Sequence, residues 1–359
     1  MKTCKDRNHH RSVIVAILAL FLIQTLCLSA CGLFGGDDEE GDVIITENAT
    51  EEAEMPTIIV RSQETFAEDV TEEELENAAS LETEASDILE SASEPPEATN
   101  IDQLRCEDGE EVYLDESWEY ASFSKIHSGT AIYYAAPENN NGLVVGVNAG
   151  HGTKGGTDVK TYCHPDMTPK VTGGTTAAGS IEAVAVSGGM SFKDGNSEAA
   201  VNLRLAKQLR DQLLAAGYNV LMVRDGDDVQ LDNIARTVIC NNVADIHIAI
   251  HFDGDQLDYD KGCFFMSVPD QLKSMPPVDR NWHMSEELGA RLIKALGNHG
   301  YKIFNGGSMD IDLTQTSYST IPSVDVEFGN QCSDTSEENL AGLAAACVDG
   351  IEDYFNVSN

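Results

Sequence analysis

Four side chains in this sequence could carry out hydrolytic chemistry together: His151, Glu198, His251 and Glu327, each at an edge of an apolar run. Two imidazoles and a carboxylate make a complete protein ligand set for a catalytic zinc, with a fourth position left for water. On that reading His151, Glu198 and His251 hold the metal. The remaining carboxylate, Glu327, is free to carry a proton.

The elements that must position these groups can be read from local pattern. Leu143 to Val147 is a buried strand that runs into Asn148-Ala149-Gly150-His151-Gly152, where two glycines allow a sharp turn around the histidine. Glu198 directly precedes Leu203, Ala206, Leu209 and Leu213 at helical spacing, and Gly217 closes that helix. A carboxylate in a first helical turn is favoured by the helix dipole whatever its function. Spacing alone therefore leaves Glu198 open between a helix-start residue and a ligand.

Tyr218 to Val223 reads as a second strand, and Ile234 to Asn242 as a short helix containing Arg236. Asp245 to His251 alternates, with three isoleucines on one face and His247, Ala249 and His251 on the other. Four strand residues separate His247 from His251 by about 13 Å, too far to share one metal, so His247 is expected to be a satisfied core histidine. Ile321 to Asn330 is an apolar strand that delivers Glu327 to its end. A carboxylate buried there without a partner would be costly, so it needs a role or a cation.

In this order, the segments resemble the zinc-dependent N-acetylmuramoyl-L-alanine amidases of bacterial cell walls, amidase type 3. The strand and Gly-His-Gly turn of that family match Val144 to Gly152, and its glutamate before an amphipathic helix matches Glu198 with Asn202 and Leu203 following. Its Thr-Arg-Asp segment is similar to Val223-Arg224-Asp225. Its later motifs resemble Arg236, Asn241, Ala244-Asp245, Ala249-Ile250-His251 and Val326-Glu327-Phe328-Gly329-Asn330. The resemblance covers about residues 142 to 355.

There are departures: Ala149 stands where the family has proline, Phe252-Asp253 follows the third ligand, and residues 153–195 make an unusually long gap before Glu198. Its Gly155-Gly156, Gly173-Gly174 and Gly188-Gly189 pairs and lack of helical period suggest a mobile surface excursion with a hairpin. Glu182 is the one glutamate in that stretch.

The resemblance implies a cell-wall hydrolase that cuts the amide between N-acetylmuramic acid and L-alanine of peptidoglycan. It also settles Glu198 as a ligand. Zinc on His151, Glu198 and His251 would polarise the carbonyl and activate water, and Glu327 would pass the proton to the leaving nitrogen. The alternatives are a non-catalytic wall-binding or regulatory lipoprotein of the same fold, or a zinc peptidase acting on the stem peptide. The alternating elements predict an α/β fold, a single catalytic domain (142–355) with a mixed, largely parallel sheet flanked by helices and the site at strand C-terminal ends.

Upstream, Lys2, Lys5, Arg7 and Arg11 precede an apolar stretch from Val13 to Leu28, followed by Leu28-Ser29-Ala30-Cys31. This is a secretory signal in form, and its end resembles the bacterial lipobox. Residues 1–30 are thus expected to be a lipoprotein signal peptide, with acylation at Cys31 anchoring the protein to the outside of the bacterial cell membrane.

Between Gly32 and Asn100 there are 22 acidic residues and one basic residue, Arg61. Such a segment cannot bury enough apolar area to offset ordering entropy, so 31–100 is expected to be a disordered, extended tether. The chain carries a formal charge of −39, and with no basic patch to neutralise phosphates a nucleic-acid partner is excluded. Residues 101–141, with Trp118, Tyr120, Phe123, Tyr133 and Tyr134, are expected to extend the catalytic fold through an edge strand over Ser128 to Ala136.

Of nine cysteines, Cys106, Cys163, Cys240, Cys263, Cys332 and Cys347 remain after the signal and Cys31, an even number from which no pairing can be assigned. Cys163-His164 has no spaced partner set for a metal or nucleophile–base site. His127, His283 and His299 read as surface residues.

Overall fold

Alternation of apolar side chains along the strands decides which way each residue faces, and that in turn decides what can reach the site. The computed structural model describes residues 106–357. The expected signal peptide, Cys31 and the acidic tether lie outside the described residues. Ten strands are present among the described residues: β1 (Glu111–Val112), β2 (Ala131–Tyr134), β3 (Val144–Ala149), β4 (Lys160–Tyr162), β5 (Glu182–Val184), β6 (Asn219–Met222), β7 (Ile246–Asp253), β8 (Cys263–Ser267), β9 (Ile303–Asp310) and β10 (Ser323–Asn330). The helices are α1 (Glu198–Ala215), α2 (Asn233–Val243), α3 (Val278–Asn298), α4 (Thr314–Tyr318) and α5 (Glu337–Val357).

Eight strands form one sheet in the order β1-β2-β6-β3-β7-β10-β8-β9. The central run β6-β3-β7-β10 is parallel, as is β8-β9, while β1-β2, β2-β6 and β10-β8 are antiparallel. The fold is thus α/β with a mixed, largely parallel sheet flanked by helices. Val145, Val147, Ile246, Ile248, Ile250, Val324 and Val326 pack on one side against α1, α3 and α5. The alternate residues Val144, Leu221 and Val223 join Ile234, Val238 and Ile239 of α2 in a second core. The two clusters cover opposite faces, which is why the strands read as nearly continuous apolar runs.

The same parity sorts the polar residues. His247, Ala249 and His251 of β7 and Ser323, Asp325 and Glu327 of β10 alternate with the residues of the first core, so they all face the α2 side. Parallel pairing sets Glu327 level with His251 and Asp325 level with Ala249.

β2 is not an edge strand, because β1 pairs with its outer side and β6 with its inner side. Asn219 explains the path: its Oδ1 accepts from the Ala136 amide (3.0 Å) and from Asn140 Nδ2 (2.7 Å). The turn therefore folds over the start of β6 and does not close a hairpin onto β3. The segment before β3 is tied to α2 by Asp232, which caps that helix through the Ala235 amide and also accepts from the amides of Lys125 and Ile126. Val112, Leu114, Ala121, Ala131 and Tyr133 complete the second core.

The long gap before Glu198 differs from a mobile surface excursion. It does contain a hairpin, β4-β5, but Cys163, Ala183, Ala185, Val186 and Phe192 are buried. His164 is fully buried, with Nδ1 2.6 Å from the Thr168 carbonyl and Nε2 2.9 Å from Asp312 Oδ1. Lys170 pairs with the same carboxylate, and the Val171 amide donates to it. Of the glycine pairs, Gly155-Gly156 sits at a turn, while Gly173-Gly174 and Gly188-Gly189 lie in irregular chain. What they do not reveal is that the segment between them is pinned to residues more than 130 positions away.

The six cysteines 106, 163, 240, 263, 332 and 347 are free thiols, with no disulfide among the described residues. His127, His283 and His299 are exposed. No helix among the described residues is long and apolar enough to cross a membrane.

Candidate metal centre

The strand β3 ends in a turn that places His151 in the left-handed region, at φ 64°. A non-glycine residue held there is strained, and such strain persists only when the surroundings fix it. Two buried arginines do so. Arg236 of α2 donates to the carbonyls of Ala149 (3.1 Å) and His151 (2.6 Å) and to Asn148 Oδ1 (3.1 Å). Arg224, just past β6, donates to the carbonyls of Ala149, Gly150 and Ala199. Burial pushes the Arg236 guanidinium down to about 9, with Arg224 adding to the effect. It stays charged at neutral pH, and its donors are used on carbonyl oxygens and the Thr153 hydroxyl and on no carboxylate.

The turn meets β7 at Gly150. A Cβ there would lie 2.2 Å from the His251 ring, so only glycine lets the imidazole lie against the backbone. Glu198 is the first residue of α1, whose N-cap Ser197 accepts from the Ala200 amide. From the helix start its carboxylate reaches over the ends of β3 and β7.

Three donor atoms converge there. Glu198 Oε1 lies 2.8 Å from His151 Nε2 and 3.0 Å from His251 Nδ1, and the two imidazole nitrogens are 3.1 Å apart. This is the only group of three or more His, Cys, Asp or Glu among the described residues arranged to hold a metal ion.

Proton bookkeeping shows what the triangle needs. His151 Nδ1 is 2.8 Å from the Ser187 carbonyl, which can only accept, so a neutral His151 carries its proton on Nδ1. Its Nε2 lone pair then points at a carboxylate oxygen. Such convergence is repulsive unless a cation or an added proton sits in it. Tetrahedral zinc with bonds of about 2.0–2.1 Å separates neighbouring donors by roughly 3.3 Å, close to the spacing seen. The donor set fits the metal.

Ser187 and Met190 belong to the long segment before α1, and both act on the site. The Met190 amide donates to Glu198 Oε2 at 2.9 Å, and Ser187 Oγ lies 3.1 Å from His151 Nδ1. At Gly189, φ 78°, a Cβ would sit 2.8 Å from the His151 ring and 2.9 Å from Glu198 Oε2. Burial alone would raise the Glu198 carboxyl, but its hydrogen bonds and charge contacts with His151 and His251 hold it below the usual carboxylate range.

Glu327 lines the same open cleft, of about 510 Å³, as His151, Glu198 and His251. Its carboxyl is buried, and Oε2 has no hydrogen-bond partner among the described residues. Burial pushes it well above the usual carboxylate range, and the nearby charges of Asp325, Glu198 and Asp253 add to this while Lys261 opposes it. Such a group binds a proton readily at a pH where an ordinary carboxylate would not.

All four sequence-predicted residues thus meet in one cleft. Asp325, a fifth, was not singled out from sequence. It lines the same cleft, with Oδ2 3.7 Å from His251 Nε2. The two-residue period of β10 was the available signal, because Asp325 and Glu327 share a face. Glu182 lies exposed in β5 and does not line the cleft. His247 is buried and pushed down to about 3 by desolvation, with Arg236 contributing. It is only half satisfied, since Nδ1 is 3.3 Å from Ser323 Oγ while Nε2 has no partner among the described residues. His164, with both nitrogens engaged, is not a base for Cys163.

Comparison with known proteins identifies the family. The sequence pattern of the amidase 3 family, N-acetylmuramoyl-L-alanine amidase, matches residues 145–352. No curated protein sequence matches the chain significantly. Among solved structures, the fold is similar to Ami1 from Mycobacterium smegmatis, an N-acetylmuramyl-L-alanine amidase, at 21% identity over 61% of this chain and 100% of that one, with a TM-score of 0.50. Ami1 from Mycobacterium abscessus, in its apo form, aligns at 22% identity over 60% of this chain and 99% of that one, with a TM-score of 0.49.

Proposed function

The chain belongs to the N-acetylmuramoyl-L-alanine amidase family and is a cell-wall hydrolase of that class; we propose that His151, Glu198 and His251 hold a zinc ion for this reaction and that Glu327 moves the proton. The observation that carries this reading is the meeting of three donor atoms within 3.1 Å of one another beside a buried carboxylate whose Oε2 has no hydrogen-bond partner among the described residues.

When bound, zinc supplies Lewis acidity, polarising the scissile carbonyl and lowering the pKa of water. The protein does the rest. Glu198 and the two imidazoles hold their lone pairs inward because Ser187, Met190 and the arginine-clamped turn fix their orientation. Glu327, level with His251 on the neighbouring strand, accepts the proton of the attacking water and delivers it to the nitrogen of the departing L-alanine. Its high proton affinity suits both halves of that transfer.

The substrate, peptidoglycan, lies outside the cytoplasm. The lipobox-like Leu28-Ser29-Ala30-Cys31 supports export with acylation at Cys31, and 31–100 as a tether between the membrane and the catalytic region. Incorporation of labelled fatty acid, lost in Cys31→Ala, tests that anchoring; an unlabelled parent chain would refute it.

The catalytic reading is tested by digesting purified peptidoglycan and weighing the products. Release of intact stem peptides with a free lactyl carboxylate on the glycan, abolished by a chelator and restored by zinc, is expected. Truncated stem peptides would instead identify a peptidase, and binding without any product a non-catalytic wall protein.

A further inference from the structure

Asp325 is the one buried ionisable group at the cleft to which the proposed chemistry gives no task. It interrupts Val324-Asp325-Val326 in a strand buried along its whole length, and its Oδ1 has no hydrogen-bond partner among the described residues. A carboxylate in that position costs stability. Valine or leucine would fit the apolar pattern of the strand better, so the group must be offset by something the fold alone does not supply.

Its surroundings indicate what that is. From β10, Asp325 faces the α2 side level with Ala249, and its Oδ2 lies 3.7 Å from Nε2 of His251. The other nitrogen of that ring, Nδ1, points into the donor triangle. Asp325 also lines the cavity that backs the site behind the two histidines, together with Asn148, Asn233, Arg236 and Gln315. The charged groups around it are His251, His151, Glu198, Glu327 and, beyond the ring, Arg236. Of these, the nearest hydrogen that a carboxylate can attract is the one on His251 Nε2.

We propose that Asp325 is a positioning residue for the metal centre: it keeps the His251 proton on Nε2, so that Nδ1 presents its lone pair to the cation, and it balances the charge that the ring takes up on binding. His151 is oriented by an uncharged carbonyl, that of Ser187. The two imidazoles therefore have different groups behind them, a neutral carbonyl for His151 and a carboxylate for His251. This inference rests on the assignment of His151, Glu198 and His251 as zinc ligands.

The variants Asp325→Leu and Asp325→Asn separate this role from a structural one. A structural residue, once removed, lowers stability. A positioning residue that costs stability does the reverse. Metal-free Asp325→Leu is expected to melt at the same temperature as the metal-free parent or higher, while its zinc affinity, measured by competition with a chromophoric chelator, falls 10- to 100-fold. Asp325→Asn, able to accept but uncharged, is expected to lie between. In the zinc-loaded proteins the proton resonance of His251 Nε2–H is expected farther downfield in the parent than in Asp325→Leu, because only the parent places a carboxylate behind that hydrogen.

If the parent binds zinc and both variants bind it as tightly with an unchanged His251 Nε2–H resonance, the role of Asp325 is wrong while the ligand assignment stands. Should the parent itself not take up zinc, both fall. A folded Asp325→Leu that melts lower than the parent, with unchanged zinc affinity, would make the residue structural.

Discussion

At the residue scale, the site is built from groups that local sequence marks and others that it does not. His151 and His251 stand at strand ends and are legible as such, whereas Glu198 has the same sequence signature as any first-turn glutamate. Only the fold brings it to within 3.0 Å of both imidazoles. Asp325 is masked by the apolar residues around it, although it has the parity of Glu327. Glu327→Gln keeps the size of the side chain and removes its basicity, so turnover is expected to fall by about 10²–10⁴-fold with zinc content unchanged. Steady-state rates with metal analysis on the same preparation check this, and a variant that cuts like the parent would remove Glu327 from the mechanism. The pH dependence has a definite sign. The proposed mechanism requires ionised Glu327, whose pKa is raised, so the acid limb of kcat/KM is expected above the ordinary glutamate value of about 4.3. Lys261 opposes that rise, so Lys261→Met is expected to move the limb to higher pH. Titrating kcat/KM for the two proteins side by side measures the difference, and a shift to lower pH would contradict it.

At the element scale, the central parallel strands were readable because apolar residues alternate or run continuously through them, and β7 and β10 carry their functional residues at the ends that the pattern predicts. The packing of 153–195 was not readable. Its hairpin follows from local turn signals, but its anchors are the contacts of His164, Lys170 and Val171 with Asp312, between 141 and 148 residues apart in sequence. No local period encodes such a pairing. The segment supplies the Ser187 carbonyl to His151 and the Met190 amide to Glu198, so loosening its anchor should be felt at the candidate site. Asp312 is buried, and despite that burial its contacts with His164, the Val171 amide and Lys170 hold its carboxyl below the ordinary value. A depressed carboxylate contributes stability that is present above the unfolded pKa, about 3.9, and is lost as pH falls through the lower folded value. Asp312→Asn should therefore destabilise the protein at neutral pH, by about 3–5 kcal/mol as for a buried ion pair that loses one partner. Denaturant titration checks the size, and limited proteolysis is expected to cut first between residues 165 and 181. Cleavage elsewhere with the segment intact would mean that the cluster is not its anchor.

At the scale of the whole molecule, the charge is not confined to the expected tether. Residues 32–100 carry 22 acidic residues against one basic residue, yet from residue 101 onward there are still 38 acidic against 17 basic side chains, a net charge of −21 with histidine neutral. The catalytic region is itself strongly acidic. Some of its ion pairs are exposed and individually weak, such as Lys193 with Asp258 and Lys294 with Asp353. Repulsions among the unpaired carboxylates outnumber them, and a net charge far from zero destabilises a compact state through self-repulsion. Raising ionic strength from about 0.01 to 0.15 M shortens the Debye length from roughly 30 to 8 Å. That screens the long-range repulsions more than it weakens pairs in contact. The melting temperature of the zinc-loaded protein is therefore expected to rise as sodium chloride is added over this range, and calorimetric or fluorescence melts at fixed pH and zinc concentration measure it. A fall would mean that the ion pairs outweigh the repulsion. A rise would mean that the acidic surface is maintained at a cost to the fold, consistent with a hydrolase kept from sticking to the anionic membrane beside which we propose it is tethered.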